Sequence, residues 1–236
     1  MSINANDPNV MLLEIVAQHL GDALHKQMVF VGGAVAGLLI TDPAMPAIRP
    51  TDDVDIVVQA TVLHEYHLVE AALFARGFVH DMQLDAPICR WRIGPIAVDV
   101  MPMDERVLGF SNRWYPLAVS TAEYFALPSG LNIRLIQASV FIATKLEAFA
   151  NRGNSDFLFS HDLGDLIAVI DGRETLLDEC RLHAPPLLEY LQAQFSALLA
   201  NRQFMQALSG HLSPDSANQS RLPLLERKLR ELASLA

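Results

Sequence analysis

Thr51-Asp52-Asp53-Val54-Asp55-Ile56-Val57-Val58 is the stretch on which the reading of this 236-residue chain turns. Its second half is β-branched and apolar, as a buried strand requires. Side chains alternate faces along a strand, so Asp53 and Asp55 project together while Val54 turns away. A third acid, Asp99, stands in a similar setting within Ile96-Ala97-Val98-Asp99-Val100. Carboxylates in apolar strands are costly to desolvate unless a positive partner joins them. Divalent metal ions are the expected partners, because hard cations select carboxylate oxygens. Two acids on one strand and a third on a neighbour can bridge two ions. One lowers the pKa of an attacking hydroxyl and the other steadies the leaving group. Mg²⁺ keeps several waters and uses substrate phosphates as ligands, so three acids suffice. Such a face suits phosphoryl or nucleotidyl transfer. The plainer explanation, a polar loop and an exposed edge strand, covers Asp52, Asp53 and Asp55. Asp99, set between valines, argues against it.

Upstream, the apolar run Met28-Val29-Phe30-Val31 ends at Gly32-Gly33. The glycines permit a tight turn from a strand into a short helix over Ala34 to Ile40. A strand–Gly-Gly–helix junction offers backbone N–H groups to phosphate, although a Gly-Gly pair is equally an ordinary turn. Before it, Val10 to Lys26 carries apolar residues at helical spacing. After it, Pro43, Pro46 and Pro50 make Thr41 to Asp52 a loop. Downstream, Thr61 is placed to cap a helix running to about Arg76, with Gly77 at its end. Ile88–Arg92 and Ile96–Met101 flank Gly94-Pro95 as a strand pair. Residues 104 to 130 carry no clear period, and Asn132–Ile136 reads as a last short strand.

From Ala138 the pattern is helical: Ala138–Asn151, His161–Ile170, Glu174–Leu182, Pro186–Ala200 and Leu222–Leu235 are the expected helices. The shift divides the chain into an α/β domain over 1–137 and a helical domain over 138–236.

With 51% apolar and 19% charged residues the chain is globular. Its formal net charge of −10 disfavours nonspecific binding to a long polyanion. Arg49, Arg90, Arg92, Arg106 and Arg113 can still form a local basic surface for a triphosphate or a short strand. The glycine-interrupted run Val29–Ile40 is too short to span a bilayer. Met1–Pro8 lacks the basic and apolar regions of a leader. Cys89 and Cys180 stand alone, which suits a reducing compartment. A cytoplasmic protein without a membrane segment is the expectation. The histidines share no ligand spacing, and neither Ser111 nor Ser120 lies in a G-x-S-x-G elbow. Trp91, Trp114, Met101 and Met103 read as core or pocket wall.

Val31-Gly32-Gly33, Arg49-Pro50-Thr51-Asp52-Asp53-Val54-Asp55-Ile56 and Val98-Asp99-Val100 together resemble the nucleotidyltransferase superfamily that includes DNA polymerase β. The resemblance spans residues 28 to 101. It implies an α/β (α+β) fold, with a mixed β-sheet nucleotidyltransferase domain, flanking helices and a C-terminal helical domain. It also implies Mg²⁺ on Asp53, Asp55 and Asp99, and the phosphates of an NTP such as ATP over Gly32-Gly33. The spacer between Gly33 and Asp53 is longer than in the most compact members.

In the second half, Thr144-Lys145-Leu146-Glu147-Ala148-Phe149-Ala150-Asn151-Arg152 followed by Ser160-His161-Asp162-Leu163-Gly164-Asp165-Leu166 resembles the abortive-infection-type nucleotidyltransferase toxins. The form Arg49-x-Thr51-x-Asp53-x-Asp55 leans the same way, which implies Arg49 and Thr51 beside the nucleotide. Lys145 and Arg152 lie two helical turns apart, and Asp162 and Asp165 share a helix face. The functional reading puts Lys145 on the triphosphate, with Asp162 orienting Lys145 or helping to activate the acceptor. Alternatively these residues form a buried ion-pair network clamping two helices, which suits Arg152 and Asp165 at least as well.

The expected reaction moves a nucleoside monophosphate from an NTP to a hydroxyl of a tRNA, a protein or a small molecule. The resemblance to the toxin branch implies an antitoxin protein as a partner. The rivals are an antibiotic adenylyltransferase of the same superfamily and an inactive nucleotide-binding protein. A metal-dependent phosphohydrolase would want histidines near the acids, and the sequence has none there.

Overall fold

Every residue of Met28–Val31 is buried, and this strand, β1, lies near the middle of a mixed sheet. The computed structural model describes residues 3–153 and 155–235. Met1, Ser2, Asn154 and Ala236 lie outside them, and with them the first two residues of the N-terminal stretch read for a leader. The chain forms two compact units: Met1–Val35 with Arg49–Gln137, and Ala36–Ile48 with Ala138–Ala236.

The first unit opens with α1 (Pro8–His25), capped by the Asp7 carboxylate, which accepts from the backbone N–H groups of Asn9 and Val10. Its apolar residues Val10, Leu13, Val16, Ala17, Leu20 and Leu24 are buried, and Gly21 interrupts the helix at φ 63°. After β1 come a 3₁₀ turn (Gly33–Val35), β2 (Asp53–Val58), α3 (Leu63–Phe74), β3 (Val79–His80), β4 (Arg90–Ile93), β5 (Ile96–Pro102), α4 (Glu105–Leu108), α5 (Tyr115–Thr121), β6 (Glu123–Ala126) and β7 (Asn132–Leu135). The four-residue α2 (Ala36–Leu39), which follows the 3₁₀ turn in sequence, belongs to the second unit.

Among the described residues seven strands form one sheet in the order β3-β4-β5-β2-β1-β7-β6. β2 runs antiparallel to β1 and parallel to β5, while β4 and β5 form an antiparallel hairpin. The two-residue Gly94-Pro95 connection pairs Ile93 with Ile96 and so sets that hairpin's register. Gly94 takes the positive φ, 57°, that the tight turn demands. Trp91, pointing away from the Arg90 face, is fully buried and packs edge-on against Phe74.

Two local expectations need revision. Thr61 does not cap α3 with its hydroxyl; the Glu65 carboxylate instead accepts from the backbone N–H of Thr61 at 2.7 Å and its hydroxyl at 3.0 Å. Glu65 reaches back because a carboxylate near a helix N-terminus is favoured by the unpaired amides there. Residues 104–130 contain α4, α5 and β6, and β6 is mostly exposed at the sheet edge, so no hydrophobic period betrays it.

The second unit contains α6 (Ala138–Arg152), α7 (His161–Gly172), α8 (Leu176–Arg181), α9 (Pro185–Ala200), α10 (Arg202–Ala207), a second 3₁₀ turn (Leu208–His211), α11 (Ser216–Gln219) and α12 (Leu222–Leu232). Residues 36–48, read from sequence as part of 1–137, pack here. The backbone N–H groups of Thr41 and Asp42 both donate to the Gly172 carbonyl, at 3.0 and 2.9 Å. Arg221 joins the segment to α7, donating to Asp42 at 2.8 Å and to Asp171 at 2.7 Å. Lys228 donates to the Ile170 and Asp171 carbonyls at 2.9 and 2.7 Å, a cation at the negative end of α7. None of the described helices is long and apolar enough to cross a membrane.

Candidate active site

β2 and β5 are in parallel register with Asp55 opposite Asp99 and Asp53 opposite Ala97. Opposed residues on adjacent strands present their side chains to the same face. The three carboxylates of Asp53, Asp55 and Asp99 therefore share one side of the first unit's sheet. Val54, Ile56, Val98 and Val100, on the other side of the same strands, are fully buried. Apolar packing behind the sheet thus fixes which way the acids face.

Gly32 closes β1 beside this face. Its φ is 72°, and a Cβ there would stand 2.5 Å from Asp55 Cγ and 2.6 Å from Asp55 Cβ. Residue 32 must therefore lack a side chain for Asp55 to lie where it does. Gly33 opens the 3₁₀ turn Gly33–Val35, and the short helix expected over Ala34 to Ile40 is this turn followed by α2 (Ala36–Leu39).

Thr51 and Arg49 lead into β2. The Thr51 hydroxyl donates to Asp53 Oδ1 at 2.9 Å, and the Thr51 backbone N–H donates to Asn9 Oδ1 at 2.9 Å. Asn9 returns a bond from Nδ2 to the Arg49 carbonyl at 3.0 Å. Buried Asn9, from the first turn of α1, thereby anchors the Pro-rich approach to Asp53. Sequence reading did not single out Asn9, because no local pattern links residue 9 to a loop forty residues on.

Arg90 is the other residue whose part was missed. β4 places it directly opposite Asp99. Its Nε donates to Asp99 Oδ1 at 2.7 Å and its Nη2 to Asp99 Oδ2 at 2.7 Å. The same Nη2 donates to Asp53 Oδ2 at 2.9 Å. The paired bonds make a forked guanidinium–carboxylate contact. Hydrogen bonding to Asp99 and the charges of Asp99 and Asp53 outweigh partial burial and hold the guanidinium protonated. Arg92, next on that face, pairs with Asp81 at 2.8 Å instead. The signal was present in the sequence: counting back from the Gly94-Pro95 turn sets Arg90 against Asp99.

The donor chemistry of the three acids fits Mg²⁺, which takes hard oxygen ligands. Their present convergence does not, because the Arg90 guanidinium lies between Asp53 and Asp99. Among the described residues no group of three or more His, Cys, Asp or Glu side chains is arranged to hold a metal ion.

In the second unit, Ser160 caps α7 by accepting from the Leu163 N–H, and Asp162 sits in the first turn. Lys145 on α6 donates to Asp165 at 2.7 Å and to Asp162 at 3.1 Å. Arg152 adds bonds to both oxygens of Asp162, at 2.9 and 3.0 Å. Burial opposes ionisation of Asp162, but the Arg152 hydrogen bonds and the two cations prevail and hold its pKa below the usual value. The four residues predicted from the motif are thus gathered into one cluster joining α6 to α7. Within it the Lys145 side chain is only 8% exposed, whereas Arg152 is 71% exposed.

Two histidines bond backbone carbonyls, His25 that of Ala17 and His211 that of Phe157, while His67 and His80 both meet the Glu70 carboxylate. Burial pushes the thiols of Cys89 and Cys180 up to about 12, so neither is a thiolate nucleophile at neutral pH.

No protein-family model matches the chain. No curated protein matches its sequence either. Among solved structures, the solution structure of the antibiotic-resistance factor ANT(2'')-Ia aligns with 84% of this chain and 96% of its own, at 14% identity and a TM-score of 0.45.

Proposed function

We propose that the chain is a Mg²⁺-dependent nucleotidyltransferase that moves a nucleoside monophosphate from an NTP to a hydroxyl acceptor and releases pyrophosphate. The observation that carries this reading is the single sheet face formed by Asp53, Asp55 and Asp99, set by the β2–β5 register and adjoining the Gly32 turn. Asp53, Asp55 and Asp99 would hold the metal, whose chemistry is to acidify the attacking hydroxyl and neutralise phosphate charge. Thr51 orients Asp53, and Asn9 holds the approach to it. Asp99, the most buried of the three acids, completes the site and takes part in deprotonating the acceptor hydroxyl. Gly32-Gly33 and Arg49 are assigned to the nucleotide on the motif.

The finer assignment, a toxin-type enzyme acting on tRNA or protein, rests on the Lys145–Asp165 stretch and its resemblance to that branch. Lys145 and Asp162 are assigned a part in the reaction on that motif alone. The test is incubation with each α-labelled NTP, Mg²⁺ and a cell extract. Labelling of a discrete acceptor that disappears in Asp53→Ala is the expected result. Full labelling by Asp53→Ala would sink the assignment. A labelled small molecule in place of RNA or protein would move the enzyme to the drug-modifying class.

A further inference from the structure

Arg90 occupies carboxylate oxygens of two of the three acids assigned above to the metal. Its guanidinium engages both oxygens of Asp99 and one of Asp53, all within 2.9 Å. A Mg²⁺ ion would need such carboxylate oxygens as ligands and would be repelled by the guanidinium already bonded to them. The two cations therefore cannot share Asp99 in this geometry. The placement is built into the strand pairing, since Arg90 opposes Asp99 across the β4–β5 hairpin. The arrangement is also reversible in principle: the Arg90 side chain is 25% exposed and has a route to solvent.

We propose that Arg90 is a resident counter-cation of the carboxylate face, which divalent metal must displace from Asp99 and Asp53. Arg90 then acts as a positioning residue with two effects. It relieves repulsion among three neighbouring carboxylates while metal is absent, and it weakens metal binding by the interaction the metal must break. Loading of the site is thereby tied to a side-chain movement. This inference rests on the metal assignment made above, but not on which reaction the metal serves.

The experiment is Mn²⁺ titration of the full chain without nucleotide, following the free-ion electron paramagnetic resonance signal, for wild type, Arg90→Gln, Arg90→Lys and Asp99→Asn. Arg90→Gln is expected to bind Mn²⁺ roughly tenfold more tightly, because forked charge-assisted bonds are removed from the competing state. Arg90→Lys should fall between, since an ammonium lacks the fork. Asp99→Asn should bind more weakly than wild type. Thermal melts give a second readout. Arg90→Gln should be less stable than wild type in chelator and should gain more from added Mn²⁺. If Arg90→Gln fails to fold, Arg90→Lys supplies the order. Mn²⁺ affinity that is unchanged or weaker on replacing Arg90 would overturn the proposal. Tighter Mn²⁺ binding in a protein that labels no acceptor would support it and count against nucleotidyl transfer. Labelling by wild type, with Mn²⁺ affinity indifferent to Arg90, would do the reverse.

Discussion

The backbone of Gly32 lies so close to the side chain of Asp55 that a Cβ at residue 32 would stand 2.5 Å from Asp55 Cγ. The contact follows from antiparallel pairing of β1 with β2, in which Val31 opposes Asp55. Gly32→Ala therefore meets two obstacles, a positive φ of 72° and an occupied space. We expect it to destabilise the protein by about 1–3 kcal/mol and to displace Asp55. Thermal or denaturant unfolding measures the first, and loss of labelling activity with protein still folded measures the second. For the unfolding measurement alone, Gly33→Ala is the comparison, since only Gly32 of the pair has a positive φ.

Asp99 is expected to matter to chemistry more than to folding. Asp99→Asn keeps the shape and removes the charge, so rates should fall by about 10²–10⁴ if it helps deprotonate the acceptor. A variant that retains wild-type turnover would remove Asp99 from the mechanism. The measurement is single-turnover transfer of labelled nucleotide at saturating Mg²⁺.

The cluster on α6 and α7 separates a buried cation from an exposed one. Lys145→Met leaves Asp162 and Asp165 buried without their shared partner and should cost about 3–5 kcal/mol. Arg152→Ala removes a side chain that is 71% exposed and should cost less than about 1 kcal/mol. Urea unfolding of the two variants tests the contrast. Equal losses would mean that Arg152 carries more of the clamp than its exposure implies.

His211 gives the stability a pH dependence near neutrality. Burial lowers its pKa, against the raising effect of its bond to the Phe157 carbonyl, so the folded protein favours the neutral ring. The unfolded chain, with a histidine pKa of about 6.5, binds the proton more readily. Stability from this group is complete above that value and is lost as pH falls through the lower folded value. His183 is lowered by burial too and adds to the same slope. His211→Gln should therefore lose less stability than wild type between about pH 7 and 5, read from denaturant midpoints. A slope unchanged by the substitution would assign the acid limb to other groups.

Much of the carboxylate face was legible because its determinants are local. The alternation of Asp53-Val54-Asp55 and Val98-Asp99-Val100 assigns faces, and buried valines behind the sheet enforce them. Gly94-Pro95 marks the hairpin, and the β1 run Met28–Val31 is visible as unbroken apolar sequence. β6 was not legible, since an exposed edge strand has no reason to alternate. The association of residues 36–48 with the helical unit was hidden for another reason. Prolines identify a loop but say nothing of the distant Gly172 carbonyl and Arg221 side chain that hold it.

The sequence by itself determined that three acids occur on apolar strands and that two of them share a face, since period two and burial are properties of the neighbouring residues. It also determined that Lys145, Arg152, Asp162 and Asp165 sit at spacings that permit contact between two helices. Only the tertiary structure decided what those charges meet. Arg90 lies between Asp53 and Asp99, Asn9 grips the approach to Asp53, and Lys145 pairs with both Asp162 and Asp165. Ionic and hydrogen-bond partners are chosen by which strands and helices pack side by side, and that packing minimises exposed apolar surface over the whole chain rather than within any one segment.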